Sequence, residues 1–155
     1  MKDTTLCYLE KNGCYLMLHR IKKKKDVNQD KWIGVGGNFW PGETPEECAR
    51  RETLEETGFT LTTLEYRGIV TFHCTGWESE QMHLFWSDQF TGTLKDCDEG
   101  ELEWVPKDRM KSFKQWEGDH IFLKLMEERA PFFELTLYYE GNQLIKAILN
   151  GEKLR

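Results

Sequence analysis

Three glutamates, Glu52, Glu55 and Glu56, fall at i, i+3 and i+4 within PEECARRETLEET, residues Pro45 to Thr57. On a helix with about 3.6 residues per turn, their side chains would leave within an arc of about 100°. Like charges at these spacings repel by roughly 0.2–0.5 kcal/mol per pair, and Glu55 and Glu56 also sit near the negative end of the helix dipole. A divalent cation removes that conflict, because Mg²⁺ takes carboxylate oxygens, waters and phosphate oxygens. The plain alternative is a solvated acidic face, which is the usual meaning of an isolated E-x-x-E-E.

The ends of this segment specify a helix. Thr44 suits the N-cap, Pro45 the first helical position, and Glu47 completes a capping box. Gly58 is placed to end the helix at Thr57. Only Cys48, Ala49 and Leu54 are apolar in it, too few for an ordinary amphipathic core helix. Upstream, Leu6–Leu9 and Cys14–Arg20 flank Lys11-Asn12-Gly13 and read as a hairpin. The charged run KKKKDVNQDK then leads to Trp32-Ile33-Gly34-Val35-Gly36-Gly37, a short strand ending in glycines. Downstream, strand-like runs cover Leu61–Cys74, Gln81–Phe90 and Leu102–Val105, followed by a helix at Asp119–Glu128. Phe132–Tyr139 and Gln143–Leu149, joined by Gly141-Asn142, read as a second hairpin. The expected class is α/β or α+β, two helices packed around a mixed sheet.

At 155 residues, with 31% charged and 39% hydrophobic residues, the length and composition fit a single domain spanning 1–155. The net charge of −6 gives no footprint for nonspecific binding of a nucleic-acid polymer. A small polyphosphate remains possible if divalent metal supplies positive charge. Five scattered cysteines with no C-x-x-C pair fit a reducing compartment. No signal-peptide pattern opens the sequence and no apolar run approaches the ~18 residues of a membrane span. A soluble, cytoplasmic protein with no membrane partner is expected.

The stretch Gly37–Phe59, GNFWPGETPEECARRETLEETGF, follows G-x5-E-x7-R-E-U-x-E-E-x-G-U, where U is bulky and apolar. This pattern resembles the signature of the Nudix (MutT-like) hydrolases. Gly37, Glu43, Arg51, Glu52, Glu55, Glu56 and Gly58 match it; at about 6–7% per residue, chance at one given start is roughly one in 10⁸. Thr53 departs from a U position. The resemblance implies an α/β/α sandwich with a mixed β-sheet, a catalytic loop-helix-loop and a C-terminal helix and hairpin. It also implies Mg²⁺-dependent hydrolysis of a nucleoside diphosphate linked to a further group, with Mn²⁺ as a possible substitute. By motif position, Glu52, Glu55 and Glu56 would be catalytic metal ligands and the Gly36 carbonyl a further ligand. Glu43 and Arg51 would form a structural ion pair. An additional acid from a later loop is common in the family, and in Asp96-Cys97-Asp98-Glu99-Gly100 the choice falls on Glu99.

The pieces LMLHRIKKKKD, KWIGVGG, GIVTF, DCDEGELEWV and WEGDHIFLKL further resemble the bacterial 8-oxo-dGTP diphosphatases. That likeness implies Lys23 or its neighbours at the phosphates, with Trp116 and Asp119 lining a base pocket. An ionised Asp119 offers paired acceptors to the N1–H and N2–H donors of guanine. Trp116 as plain core, Lys22–Lys25 as a solvated loop and Asp119 as a helix N-cap are the bland alternatives. Where the human-type enzyme has Asn and a second Asp, Ile33 and Gly118 stand here, leaving fewer polar contacts to a base. The function implied is nucleoside triphosphate pyrophosphohydrolysis, with 8-oxo-dGTP as substrate and a small-molecule nucleotide, rather than a nucleic-acid polymer or a membrane, as partner. Hydrolysis of ADP-ribose or a dinucleoside polyphosphate is the alternative, and a non-catalytic nucleotide sensor is a third reading. His19, His73, His83 and His120 show no metal-ligand spacing, and oligomeric state is not encoded in any of these features.

Overall fold

The computed structural model describes residues 1–155. A nine-stranded mixed sheet runs in the order β11-β10-β9-β5-β6-β1-β2-β3, with β8 also paired to β2. These strands are β1 (Lys2–Lys11), β2 (Cys14–His19), β3 (Trp32–Ile33), β5 (Glu65–Cys74), β6 (Glu80–Ser87), β8 (Glu101–Pro106), β9 (Phe133–Glu140), β10 (Gln143–Leu149) and β11 (Glu152–Lys153). A separate ribbon pairs β4 (Phe59–Leu61) with β7 (Phe90–Gly92). The two helices are α1 (Pro45–Thr57) and α2 (Asp119–Glu127).

Alternation along the central strands shows why the sheet needs a helix on each side. Leu6 and Tyr8 of β1, with Tyr15 and Met17 of β2, pack into one core with Phe122, Leu123 and Met126 of α2. Their neighbours Cys7, Leu9, Leu16 and Leu18 turn to the other face and pack with Ala49 of α1. Strands buried on both faces read as continuous apolar runs rather than as alternation. No helix is long and apolar enough to cross a membrane.

Several boundaries differ from the sequence expectation for identifiable reasons. The first strand covers Lys2–Lys11 rather than Leu6–Leu9, because β1 runs parallel to β6 from Lys2↔Glu80 to Leu9↔Ser87. The first hairpin pairs only at its root, Glu10↔Tyr15 and Lys11↔Cys14. On its other edge β2 pairs with β8 along its whole length, from Cys14↔Pro106 to His19↔Glu101. The run Leu61–Cys74 divides between β4 and β5, and Gln81–Phe90 between β6 and β7, at a corner where Ser87 Oγ donates to the Thr63 carbonyl at 2.6 Å. Helix α2 ends one residue earlier than expected. The unexpected β11 folds back on β10 across Asn150-Gly151, both at positive φ, a turn signal followed by too short a run to register as a strand.

Candidate active site

Helix α1 begins with the full capping box. Thr44 Oγ1 accepts from Glu47 N at 3.1 Å, and Glu47 Oε1 accepts from Thr44 N at 2.9 Å. It ends at Gly58, left-handed at φ 84°, whose N–H donates to the Leu54 carbonyl. Its buried stripe is Cys48, Ala49, Thr53, Glu56 and Thr57, whereas Leu54 is 49% exposed. Thr53 thus occupies the core-facing position of the motif, and a carboxylate takes part of the face that an apolar side chain would normally fill.

The three glutamates do not converge on one point; the arc they span fans them from core to solvent. Glu56 points inward: its Oε1 accepts from Gly36 N at 2.7 Å, and its Oε2 is buried with no donor. Burial drives its pKa up to about 9, the nearby Glu99 carboxylate adding to the shift. Glu52 lies beneath the glycine loop, where a Cβ on Gly37 would come within 2.6 Å of its carboxyl group. Its pKa is also raised by burial, against the Arg51 hydrogen bond. Glu55 is the outer member, bonded to Arg51 at 3.2 Å with its side chain half exposed. The Gly36 carbonyl accepts no hydrogen bond, and a Cβ on Gly36 would stand 1.9 Å from the Thr5 carbonyl oxygen. The chain can pass this close to β1 only as glycine.

Arg51 organises the loop. Its guanidinium bonds Glu43 at 2.7 and 2.9 Å, Glu52 at 2.8 Å and the Asn38 carbonyl at 2.9 Å. It also stacks on the Trp40 ring at 3.9 Å from the centroid. The Arg51 hydrogen bond holds Glu43 down to about 2. Because that pKa is depressed, the pair's contribution to stability is present at neutral pH and is lost as pH falls from the ordinary carboxylate range through about 2. Arg51→Ala should therefore lower both kcat and Tm, the latter on the order of 5 °C or more, since it strands a half-enclosed Glu43 and frees the loop. An activity loss with unchanged Tm, by calorimetry at neutral pH, would remove the bracing role.

Glu99 reaches the site from the loop before β8. Arg20 Nη1 meets it at 2.8 Å and Lys23 Nζ at 2.7 Å, while Arg20 also holds Asp26 at 2.8 Å. Burial raises its pKa, but the Lys23 hydrogen bond and the charges of Arg20 and Lys23 prevail, so Glu99 stays below the usual carboxylate range. Of the four lysines in the run 22–25, Lys22 donates to the Cys97 carbonyl at 2.6 Å and Lys23 takes Glu99. Lys24 and Lys25 are exposed.

A cleft of about 370 Å³ joins these groups to the proposed base end. Its lining includes Gly36, Glu52, Glu99, Lys23, Trp116 and Asp119. Trp116 is 5% exposed, with its ring edge-on to Phe72 and Tyr139, and its Nε1 donates to Asn28 Oδ1 at 2.8 Å. The Lys31 ammonium sits 4.0 Å from its ring centroid. Asp119 is 4% exposed, and burial pushes its carboxyl up to about 8 against the opposing charge of Lys31. It does not serve as an N-cap: it is the first residue of α2, Gly118 is the cap, and no side-chain capping bond forms. Arg20, Asn28 and Lys31 were not legible in the sequence. Lys31 lies in a charged run where a buried lysine looks like any solvated one, and only its neighbour Trp32 hinted at enclosure.

Residues 3–126 match the NUDIX domain model. The chain belongs to the Nudix family. It is a Nudix hydrolase, and its α/β fold is that of MutT structures. It is 37% identical over 125 residues to the oxidized purine nucleoside triphosphate hydrolase of Danio rerio, covering 79% of each chain. It is 32% identical over 111 residues to the Mus musculus protein of the same name, covering 71% of each. The crystal structure of a mutator MutT protein from Bacillus halodurans superposes with a TM-score of 0.83 at 26% identity, over 98% of this chain and 99% of that one.

Proposed function

We propose that this Nudix hydrolase cleaves nucleoside triphosphates to a monophosphate and pyrophosphate, with 8-oxo-dGTP as the principal substrate and Mg²⁺ as cofactor, Mn²⁺ substituting. On this reading residues 1–155 act as one domain that clears oxidised purine nucleotides from the cytoplasmic pool. The observation that carries it is a single cleft with carboxylates and a glycine loop at one end and a buried, unpaired carboxyl beside an indole at the other. The names of the vertebrate relatives support the same substrate class.

The donor set suits a hard cation. Glu56 Oε2 is buried with no donor, the Gly36 carbonyl accepts no hydrogen bond, and Glu52 and Glu99 border the same cleft. These oxygens, with Glu55 further out on α1, would hold Mg²⁺; the absence of sulfur and imidazole among them disfavours zinc. A cation bound there would offset polyphosphate charge and make a water easier to deprotonate. The chain's own groups do the rest. Gly36 and Gly37 bring backbone close to the carboxylates, and Arg51 fixes the helix beneath them. Lys23 borders the cleft where a phosphate would lie, and a carboxylate among Glu52, Glu56 and Glu99 takes the proton from the attacking water. At the far end Trp116 presents an aromatic surface to the base, and Asp119 meets its hydrogen-bonding edge.

The test is a kcat/KM panel over 8-oxo-dGTP, dGTP, dATP, dCTP, ADP-ribose and a dinucleoside polyphosphate, with products resolved by ion exchange. The expected result is 8-oxo-dGTP first, releasing pyrophosphate. Preference for ADP-ribose or the dinucleotide, or release of orthophosphate, would overturn the substrate assignment while leaving the hydrolase intact.

A further inference from the structure

Guanine and 8-oxoguanine present the same N1–H and N2–H donors, so Asp119 alone cannot separate 8-oxo-dGTP from dGTP. The two bases differ on the opposite side, at the imidazole ring. Guanine offers N7 there as an acceptor, whereas 8-oxoguanine offers an N7–H donor beside a C8 carbonyl acceptor. Reading that edge takes an acceptor and a donor side by side. The cleft lining holds such a pair in Glu80 of β6 and Lys2 of β1, together with Thr4. Asp119 enters the cleft from α2, and these three enter it from the sheet. Glu80 is the cross-strand partner of Lys2 on one side and of Phe72 on the other, and the Phe72 ring packs edge-on against Trp116, 4.9 Å between centroids. The carboxylate therefore stands one strand from the residue that meets the indole. Its side chain is 14% exposed. The buried Thr4 hydroxyl donates to Glu80 Oε2 at 3.1 Å, while Oε1 has only Lys2 Nζ at 3.6 Å, too long for a hydrogen bond. One carboxylate oxygen and one ammonium thus border the cleft with hydrogen-bonding capacity unused.

We propose that Glu80 and Lys2 read the oxidised edge of the purine: Glu80 Oε1 accepts the N7–H of 8-oxoguanine, the Lys2 ammonium donates to its C8 carbonyl, and Thr4 holds the carboxylate in place. The proposal rests on the substrate and base-pocket reading given above and names the contact that detects oxidation. A carboxylate accepts only and an ammonium donates only, so neither group can turn to suit the unoxidised base. With dGTP in the same pose, the N7 lone pair faces an acceptor and Lys2 finds no carbonyl. The pair thus rewards the oxidised base and penalises the normal one, and discrimination gains from both. A site built to hydrogen-bond a substrate group rejects the analogue lacking it far more strongly than an apolar wall can. The apolar neighbours Phe72 and Met82, which line the same stretch of the cleft, offer an unoxidised base no substitute partner.

The experiment compares the parent protein with Glu80→Gln, Glu80→Met and Lys2→Met, measuring kcat/KM for 8-oxo-dGTP, dGTP, 7-deaza-dGTP and GTP, together with Tm. In 7-deaza-dGTP a C–H replaces N7. The parent should prefer 8-oxo-dGTP, and should take 7-deaza-dGTP ahead of dGTP because the lone pair facing Glu80 is gone. Glu80→Gln should lower the 8-oxo-dGTP to dGTP ratio about tenfold or more, the scale of one hydrogen bond to a charged group. It should also cancel the advantage of 7-deaza-dGTP, since the new amide can donate to N7. Glu80→Met should lower the oxidised-to-normal ratio without any new amide contact, and Lys2→Met should lower it by a smaller factor. An unchanged ratio in both Glu80 variants, or equal losses on all four nucleotides, would reduce Glu80 to a packing residue and overturn the proposal. A shift in the GTP to dGTP ratio in place of the oxidised-to-normal ratio would assign the carboxylate to the sugar and overturn it as well. If the parent itself shows no preference for 8-oxo-dGTP, the substrate reading fails and takes the proposal with it; a preference that survives in the variants fails Glu80 alone.

Discussion

Glu56→Gln and Glu52→Gln should each lower Mg²⁺-dependent kcat by at least ~10²-fold, the lower end of what a single proton-transferring group contributes. The two carboxylates differ in setting but both face the glycine loop. Glutamine is isosteric, so Glu56→Gln can still accept from Gly36 N, but it places an amide where Oε2 now lies buried with no donor. Glu55, half exposed and held by Arg51, should tolerate glutamine better, with a loss smaller than either neighbour's. Near-parent turnover in all three variants would remove the box glutamates from catalysis.

Stability gives an independent readout of the same residue. Glu56 titrates near 9 in the folded protein because burial penalises its charge, with Glu99 adding to the effect. A carboxyl whose folded pKa is raised makes its full contribution below the unfolded pKa and loses it as pH climbs through the folded value. In EDTA the parent protein should therefore lose stability between about pH 4.5 and about pH 9. Glu56→Gln should flatten that slope and raise Tm at pH 8 by a few degrees, even as activity falls. Activity and stability moving in opposite directions marks a group kept for chemistry rather than packing. A Tm that falls with activity would mean that Glu56 supports the fold.

Helix α1 was legible in the sequence because every signal for it is local. Thr44, Pro45, Glu47 and Gly58 act within a turn of where they stand, and the carboxylate spacing needs only the helical period. The strands beyond it were legible as apolar runs but not in their partners. That β1 runs parallel to β6, and extends to Lys2 for that reason, depends on a contact nearly eighty residues away. The corner that splits two of the runs rests on Ser87 and Thr63 meeting across the sheet.

The site divides in the same way. Glu43, Arg51 and the box glutamates follow from one contiguous motif. Asn28, Lys31 and Arg20 matter because of what a folded loop brings to Trp116, Asp26 and Glu99, and their residue types carry no mark of it. The acidic helix also hides its own geometry: its spacing puts three carboxylates within about 100° of arc and says nothing of how deep each one lies. The sheet beneath turns that arc into a gradient from the enclosed Glu56 to the half-exposed Glu55.

Asp119→Ala should cost guanine nucleotides about 1–3 kcal/mol in kcat/KM, the penalty for leaving donors unpaired in an enclosed site. Nucleotides of adenine and the pyrimidines should lose much less. The fallback role for Asp119 would have been an N-cap, but Gly118 occupies that position and no side-chain cap forms, so its burial at 4% exposure has no local structural return. Its carboxyl is pushed from an ordinary value of 3.8 to about 8. Folded stability should therefore decline as pH rises through that window and level off above it. Asp119→Asn removes the decline and should raise Tm at pH 8 while erasing the guanine preference. Trp116 needs a gentler substitution than alanine, because its ring also packs edge-on against Phe72 and Tyr139 and full truncation would cost ~3–5 kcal/mol of core stability. Trp116→Phe keeps much of that packing, releases the Asn28 hydrogen bond and shrinks the stacking face. It should weaken 8-oxo-dGTP, dGTP, dATP and dCTP by similar factors, since every base presents a π-face. The two variants assayed on the same four nucleotides give opposite signatures, one base-selective and one uniform. A uniform loss for Asp119→Ala would return it to the core as a residue without a base to read.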